Sequence, residues 1–112
     1  MSHIRLNAYH IMWLFVFFDL PTNTSKERKV ASKFRTELIK NGFSMMQYSV
    51  YIRHCASKES AEAHTKRVKK LIPELGHVSI VSITDKQYGD IINFWGEKDK
   101  PLPETPKQLT LF

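Results

Sequence analysis

The chain has 112 residues, which is enough for one domain and too short for two independent hydrophobic cores. Its 17 lysine and arginine residues outnumber 11 acidic residues, and the resulting net charge of +6 suits a polyanionic partner such as nucleic acid. A single cysteine, Cys55, excludes an internal disulfide and predicts a reducing compartment.

The first predicted element is the apolar run Ile11–Phe18, which is typical of a strand buried on both faces. This run is too short to span a bilayer and has no secretory cleavage site, so we expect a cytoplasmic protein. Asp19 follows the run directly, and a charge beside so much apolar surface normally has a partner. That partner is a metal ion, a basic side chain or, as the pattern alone favours, the backbone of the turn that follows at Pro21.

Two basic helices follow from capping signals. Thr24 and Glu27 form a capping box at the start of the first helix, and Asn41-Gly42 ends it. Ser57 caps the second helix, which ends before Pro73. The cations on these helices are Lys26, Arg28, Lys29, Lys33, Arg35 and Lys40 on the first and Lys66, Arg67, Lys69 and Lys70 on the second. Their clustering favours nucleic-acid binding, with solvated helix faces as the alternative.

The remaining segments have the period-two pattern of strands. Residues 43–54 form one strand or two short strands broken near 47–49, His77–Thr84 forms another, and Ile91–Trp95 a last short one after a turn at 88–90. This order predicts an α+β sandwich with ferredoxin-like βαββαβ topology, an additional short C-terminal strand and both helices on one face. The uncovered face needs burial, so we expect a homodimer.

The predicted domain occupies residues 1–96, of which 1–10 are a loose leader. Residues 97–112 form a tail with three prolines and an alternating apolar end, QLTLF. The pattern leaves open whether this end adds a strand to a sheet edge, of its own protomer or of a partner, or frays.

Metal and stacking sites have specific requirements. A lone carboxylate holds Mg²⁺ poorly, so Asp19 needs a second carboxylate, which a two-fold axis would supply. The five histidines show no ligand spacing, so zinc is not expected. Tyr48 and Tyr51 offer rings for stacking on nucleic acid, with simple strand filling as the alternative.

Several motifs in this order resemble the Cas2 family of small CRISPR-associated proteins. They are FFDLP at 17–21, Arg28-Lys29, Gly42-Phe43, QYSVY at 47–51, GHVSI at 76–80 and TDKQY at 84–88. The resemblance implies a ferredoxin-like homodimer in which Asp19 pairs with its twin, binds Mg²⁺ or Mn²⁺ and is catalytic in members that cleave RNA or DNA. It also implies that Arg28 and Tyr51 contact nucleic acid. Met45 departs from the family, because many members carry a basic residue there that contacts phosphate.

The resemblance implies one of two functions. The first is a bridge between subunits of the CRISPR integrase Cas-one, with prespacer duplex DNA held on the basic surface of Lys26, Arg28, Lys29 and Lys33 during spacer acquisition. Phosphate contacts suit that role because they carry no base information. The alternative is a metal-dependent endonuclease, acting on RNA or on duplex DNA through the paired Asp19 residues.

Overall fold

The computed structural model describes residues 10–96. Its elements are β1 (Met12–Asp19), α1 (Ser25–Lys40), β2 (Ser44–Gln47), β3 (Val50–Cys55), α2 (Lys58–Leu71), β4 (His77–Thr84) and the short α3 (Asp85–Gly89). The four strands form one antiparallel sheet in the order β2-β3-β1-β4. The predicted α+β class with ferredoxin-like strand and helix order is confirmed. The predicted leader, apart from His10, and the tail lie outside the described residues.

Strand β1 lies in the middle of the sheet, and its side chains alternate between the two faces. Leu14, Val16 and Phe18 join the core beneath the helices, with 0%, 0% and 7% of their surface exposed. On the opposite face, Phe17 remains 40% exposed. The expectation of burial on both faces is therefore met only in part, because both long helices pack on one side of the sheet and on the other side Phe15, near Tyr88, is buried while Phe17 is not.

The boundaries of α1 follow from the predicted capping signals. The Thr24 hydroxyl accepts from the Glu27 amide at 3.0 Å, and the Glu27 carboxylate accepts from the Thr24 amide at 3.0 Å. The helix ends at Asn41, and Gly42 follows with a φ of +88°. The backbone angle favours glycine at this position, and a Cβ atom there would also displace the guanidinium of Arg53.

The open alternative for residues 43–54 is resolved as two strands. Strands β2 and β3 form a hairpin whose turn contains Tyr48 and Ser49, and Ser49 has a φ of +74°. The register between the strands shifts between Met45 and Gln47, as at a β-bulge.

The predicted last strand, Ile91–Trp95, is not formed: residues 91–96 have no regular secondary structure. The chain instead continues from β4 into α3, because Thr84 and Gln87 form a second capping box with bonds of 2.9 and 3.1 Å. The predicted turn at 88–90 is thus the end of a short helix. This helix lies against the face of the sheet that α1 and α2 leave uncovered, through a stack of Tyr88 on Trp13.

Candidate metal and nucleic-acid site

Asp19 is the last residue of β1, and it lies on the uncovered face of the sheet with its side chain exposed. The predicted cap of the following turn is not formed: the Asn23 amide donates to the Glu27 carboxylate at 2.8 Å instead. Within residues 10–96 the Asp19 carboxylate has no hydrogen-bond or ion-pair partner. Asp19 is therefore a free acceptor at the edge of an apolar surface.

One protomer does not supply a complete magnesium site. Among the described residues, no group of three or more histidine, cysteine or acidic side chains is placed to hold a metal ion. Mg²⁺ prefers several oxygen ligands, and the single Asp19 carboxylate provides at most two. A carboxylate is a suitable ligand for Mg²⁺, but the site has enough ligands only if a second chain contributes its own.

The predicted cationic residues of α1 divide into two groups. Lys26, Lys29 and Lys33 are exposed and occupy positions i, i+3 and i+7, so they follow one another along one side of the helix. None of the three has an ion-pair partner within the described part of the chain. Arg28 differs, because its guanidinium donates to the carbonyl oxygens of Thr22 and Asn23 at 3.1 and 3.4 Å and thereby braces the loop after Asp19.

The predicted stacking role of Tyr51 is corrected by the structure. Its side chain is only 4% exposed and packs in the core beside Phe18, with ring centroids 5.7 Å apart. A ring buried beneath the helices has no face free for a base. Tyr48, in the hairpin turn, is 76% exposed and is the ring available for stacking.

Sequence reasoning missed the support behind Tyr48. The Arg35 guanidinium lies 3.9 Å from the Tyr48 ring centroid and donates to the Ser49 hydroxyl at 3.0 Å. The Phe18 amide donates to the Ser49 carbonyl at 3.1 Å, so this turn is tied to the end of β1 that carries Asp19. The only signal for this contact in the sequence is an arginine on the inner side of α1. Helical spacing alone does not show that this arginine reaches a turn fourteen residues later.

The uncovered face is apolar in its middle. Phe15 is buried there, whereas Phe17 and Val81 are 40% and 44% exposed. At the other end of the face α3 provides partial cover: the Trp13 indole stacks on Tyr88 with centroids 3.9 Å apart and donates to the Asp85 carboxylate at 2.7 Å. The exposed apolar surface and Asp19 are therefore neighbours at the end of β1 that α3 does not reach.

Two further titratable groups lie within the fold. Burial raises the pKa of the Cys55 thiol, which disfavours the reactive thiolate. Burial, with smaller contributions from Arg53 and Arg67, lowers the pKa of His64 from its ordinary 6.5. Neither group lies at the Asp19 edge, and neither is assigned a role in chemistry.

Comparison with known proteins gives one consistent result. The family model described as CRISPR associated protein Cas2 matches residues 12–91. A protein of Flavobacterium psychrophilum named CRISPR-associated endoribonuclease Cas2 is 52% identical over 110 residues, covering 98% of this chain and 96% of its own. Proteins with the same name from Parvibaculum lavamentivorans and Paracidovorax avenae are 50% and 42% identical, and cover 90% and 96% of this chain and 100% and 99% of their own.

Among residues 10–96, no helix is long and apolar enough to cross a membrane. The matched segment runs from the start of β1 to just beyond α3, and so includes all seven elements of the fold. On this evidence the chain belongs to the Cas2 family of CRISPR-associated proteins.

Proposed function

We propose that this protein acts in CRISPR spacer acquisition as a homodimer that bridges integrase subunits and binds prespacer duplex DNA. The observation that carries the proposal is the row formed by Lys26, Lys29 and Lys33 on α1, exposed and without acidic partners within the described chain. A cationic row of this kind binds phosphates without reading bases, as a protein that accepts any spacer sequence requires.

The uncovered sheet face supports the homodimer. An open face that exposes Phe17 and Val81 beside the half-covered Trp13 gains stability when a second copy covers it. Two-fold symmetry gives both subunits the same cationic row, so the dimer offers two α1 rows to duplex DNA.

The experiment compares duplex DNA binding by the wild-type chain and by the triple variant Lys26→Glu, Lys29→Glu, Lys33→Glu over a range of salt concentrations. We expect the triple variant to lose at least about tenfold in affinity, with a salt slope shallower by roughly 2–3. The matched control is Lys66→Glu, Lys69→Glu, Lys70→Glu on α2, which changes the net charge equally. A shallow slope for the wild type, or equal losses in both triple variants, would falsify the α1 assignment.

The bridging role needs a separate measurement. We expect the protein to co-purify with the integrase of its own CRISPR system, and the complex to survive Asp19→Asn because bridging uses no chemistry at that carboxylate. Spacer acquisition that stops with Asp19→Asn, while the complex still forms, would contradict a purely architectural role.

A second candidate function is a metal-dependent endonuclease, favoured by the names of the relatives and by the free Asp19 carboxylate. One Asp19 from each protomer would hold one Mg²⁺ or Mn²⁺, and the bound ion supplies an activated water and charge stabilisation for phosphodiester hydrolysis. Asp19 would orient and retain the ion from the end of β1, where no side chain among residues 10–96 bonds to its carboxylate oxygens.

Cleavage of single-stranded RNA and of duplex DNA in the presence of Mg²⁺ tests this candidate. We expect Asp19→Asn to abolish the reaction and Glu59→Gln, an exposed acid on α2 with the same change of charge, to leave it unchanged. Cleavage that survives Asp19→Asn belongs to another site or another protein.

A further inference from the structure

The residue directly opposite Asp19 in the sheet is His77, the first residue of β4. Because the two are register partners on antiparallel strands, their side chains point to the same, uncovered face. Both side chains are exposed, and neither has a hydrogen-bond, ion-pair or ring partner within the described residues. An unpartnered carboxylate and an unpartnered imidazole therefore lie side by side at the edge of the apolar surface.

The position of His77 relative to Asp19 is held by the backbone before it. Gly76 has a φ of +105°, and a Cβ atom there would lie 2.9 Å from the Asp19 carbonyl oxygen. Only glycine permits this close approach, so the start of β4 is tied to the end of β1. The next register pair on the same face is Phe17 with Ser79. Neither residue carries a positive charge that would repel a cation bound between Asp19 and His77.

This spacing suits a shared ligand. Opposite residues of an antiparallel pair have Cβ atoms about 4.5–5.5 Å apart, and a carboxylate oxygen and an imidazole nitrogen at that spacing converge on one divalent cation. The sequence showed no histidine ligand spacing because the two residues are far apart along the chain and are joined only by the sheet.

We propose that His77 is a ligand of the divalent cation held by Asp19, and that it shifts the site from Mg²⁺ towards a transition cation such as Mn²⁺. The inference rests on the paired-Asp19 site proposed above. With His77 added, the two protomers together offer two carboxylates and two imidazoles to the cation. Mg²⁺ is bound through oxygen ligands and water, whereas divalent transition cations also take imidazole, with Mn²⁺ the weakest binder in that series.

The test is Mn²⁺ binding by the full chain, followed by electron paramagnetic resonance, with Mg²⁺ as competitor. In the wild type we expect nitrogen modulation of the bound Mn²⁺ signal in pulsed experiments, and none in His77→Gln. His77→Gln should also weaken Mn²⁺ binding by at least about tenfold while Mg²⁺ binding changes less. The matched control is His54→Gln, an exposed histidine on the same face opposite Trp13.

The outcomes separate this inference from the endonuclease candidate. His77-dependent Mn²⁺ binding without any nucleic-acid cleavage refutes the endonuclease and leaves the ligand assignment standing. Asp19-dependent cleavage combined with unchanged nitrogen modulation in His77→Gln refutes the ligand assignment alone. Absence of Mn²⁺ binding by the wild type at millimolar metal overturns it outright, as does an equal loss in His54→Gln.

Discussion

The two faces of the sheet are built from the same strands and differ in what covers them. Beneath α1 and α2, Leu14 and Val16 are completely buried in a continuous core. On the opposite face Tyr88 of α3 lies against Trp13 and near the buried Phe15, and Phe17 and Val81 stay exposed. The apolar content of β1 thus exceeds what one protomer can bury, and that excess is the physical basis for expecting a partner.

The largest expected difference between the faces is in stability. Leu14→Ala removes a fully buried side chain and should lower the free energy of unfolding by about 3 kcal/mol. Phe17→Ala should cost much less in the isolated protomer, because part of its ring is already in water. Urea unfolding below the dimer dissociation constant measures both. Equal losses at the two positions would mean that the faces are energetically alike.

The second expected effect is on association. Phe17→Asp introduces a charge in the middle of the uncovered face and should weaken dimerisation by at least about tenfold, because a buried unpaired carboxylate is costly. Sedimentation equilibrium measures the change, and Ile39→Asp, which alters an exposed apolar residue on α1, is the control. Equal effects of the two variants would remove the uncovered face from the interface.

A smaller effect is expected at the contact that holds α3. Trp13→Phe removes the indole donor to Asp85 but keeps an aromatic ring against Tyr88. We expect a loss of about 1 kcal/mol in the free energy of unfolding, as for one hydrogen bond to a charged acceptor that solvent partly replaces. Faster amide hydrogen exchange of residues 85–89 in the variant, with unchanged exchange in the helix-covered core, would show that the loss of stability is confined to α3. Uniformly faster exchange would contradict a local role.

The smallest expected effect is the pH dependence of stability contributed by His64, on the helix-covered side of the sheet. The pKa of His64 is lowered in the folded chain, so below its ordinary 6.5 the unfolded chain binds more protons there. The contribution of His64 to stability is therefore present above that pH and is lost as the pH falls towards its folded value. Thermal unfolding of His64→Gln should show a weaker decline under acid conditions than the wild type. An identical decline would contradict this assignment.

The elements predicted best were those with local chemical signals. The Thr24–Glu27 capping box and the Asn41-Gly42 stop set the boundaries of α1, Ser57 set the start of α2, and alternation marked the strands. The strand expected at Ile91–Trp95 is not formed, and α3 before it was not predicted, because the capping signal of Thr84 and Gln87 is followed by no apolar pattern long enough to indicate a helix. Its capping geometry is local, but its docking on Trp13 joins residues far apart in sequence.

The candidate site was predicted in part. The position of Asp19 after an apolar strand drew attention to it, but its metal role was implied only by the resemblance to Cas2, and the α1 lysines followed from the clustering of cations on one predicted helix. Tyr51 was misassigned because alternation places successive residues of β3 on opposite faces without indicating which face is core, and only the packing of the helices decides that. Arg35 is a neighbour of Tyr48, and His77 is a neighbour of Asp19, only in the folded chain. These pairs are formed by contacts and strand register between distant segments, which composition and residue spacing do not reveal.

Sedimentation equilibrium of the wild-type full chain over a range of concentrations, with and without divalent cation, tests the central claim most directly. A symmetric pair that covers Phe17 and brings the two Asp19 residues together predicts a species of twice 13.1 kDa at micromolar concentrations. A mass of 13.1 kDa under every condition would contradict the scaffold, the shared carboxylate site and the role of His77 together.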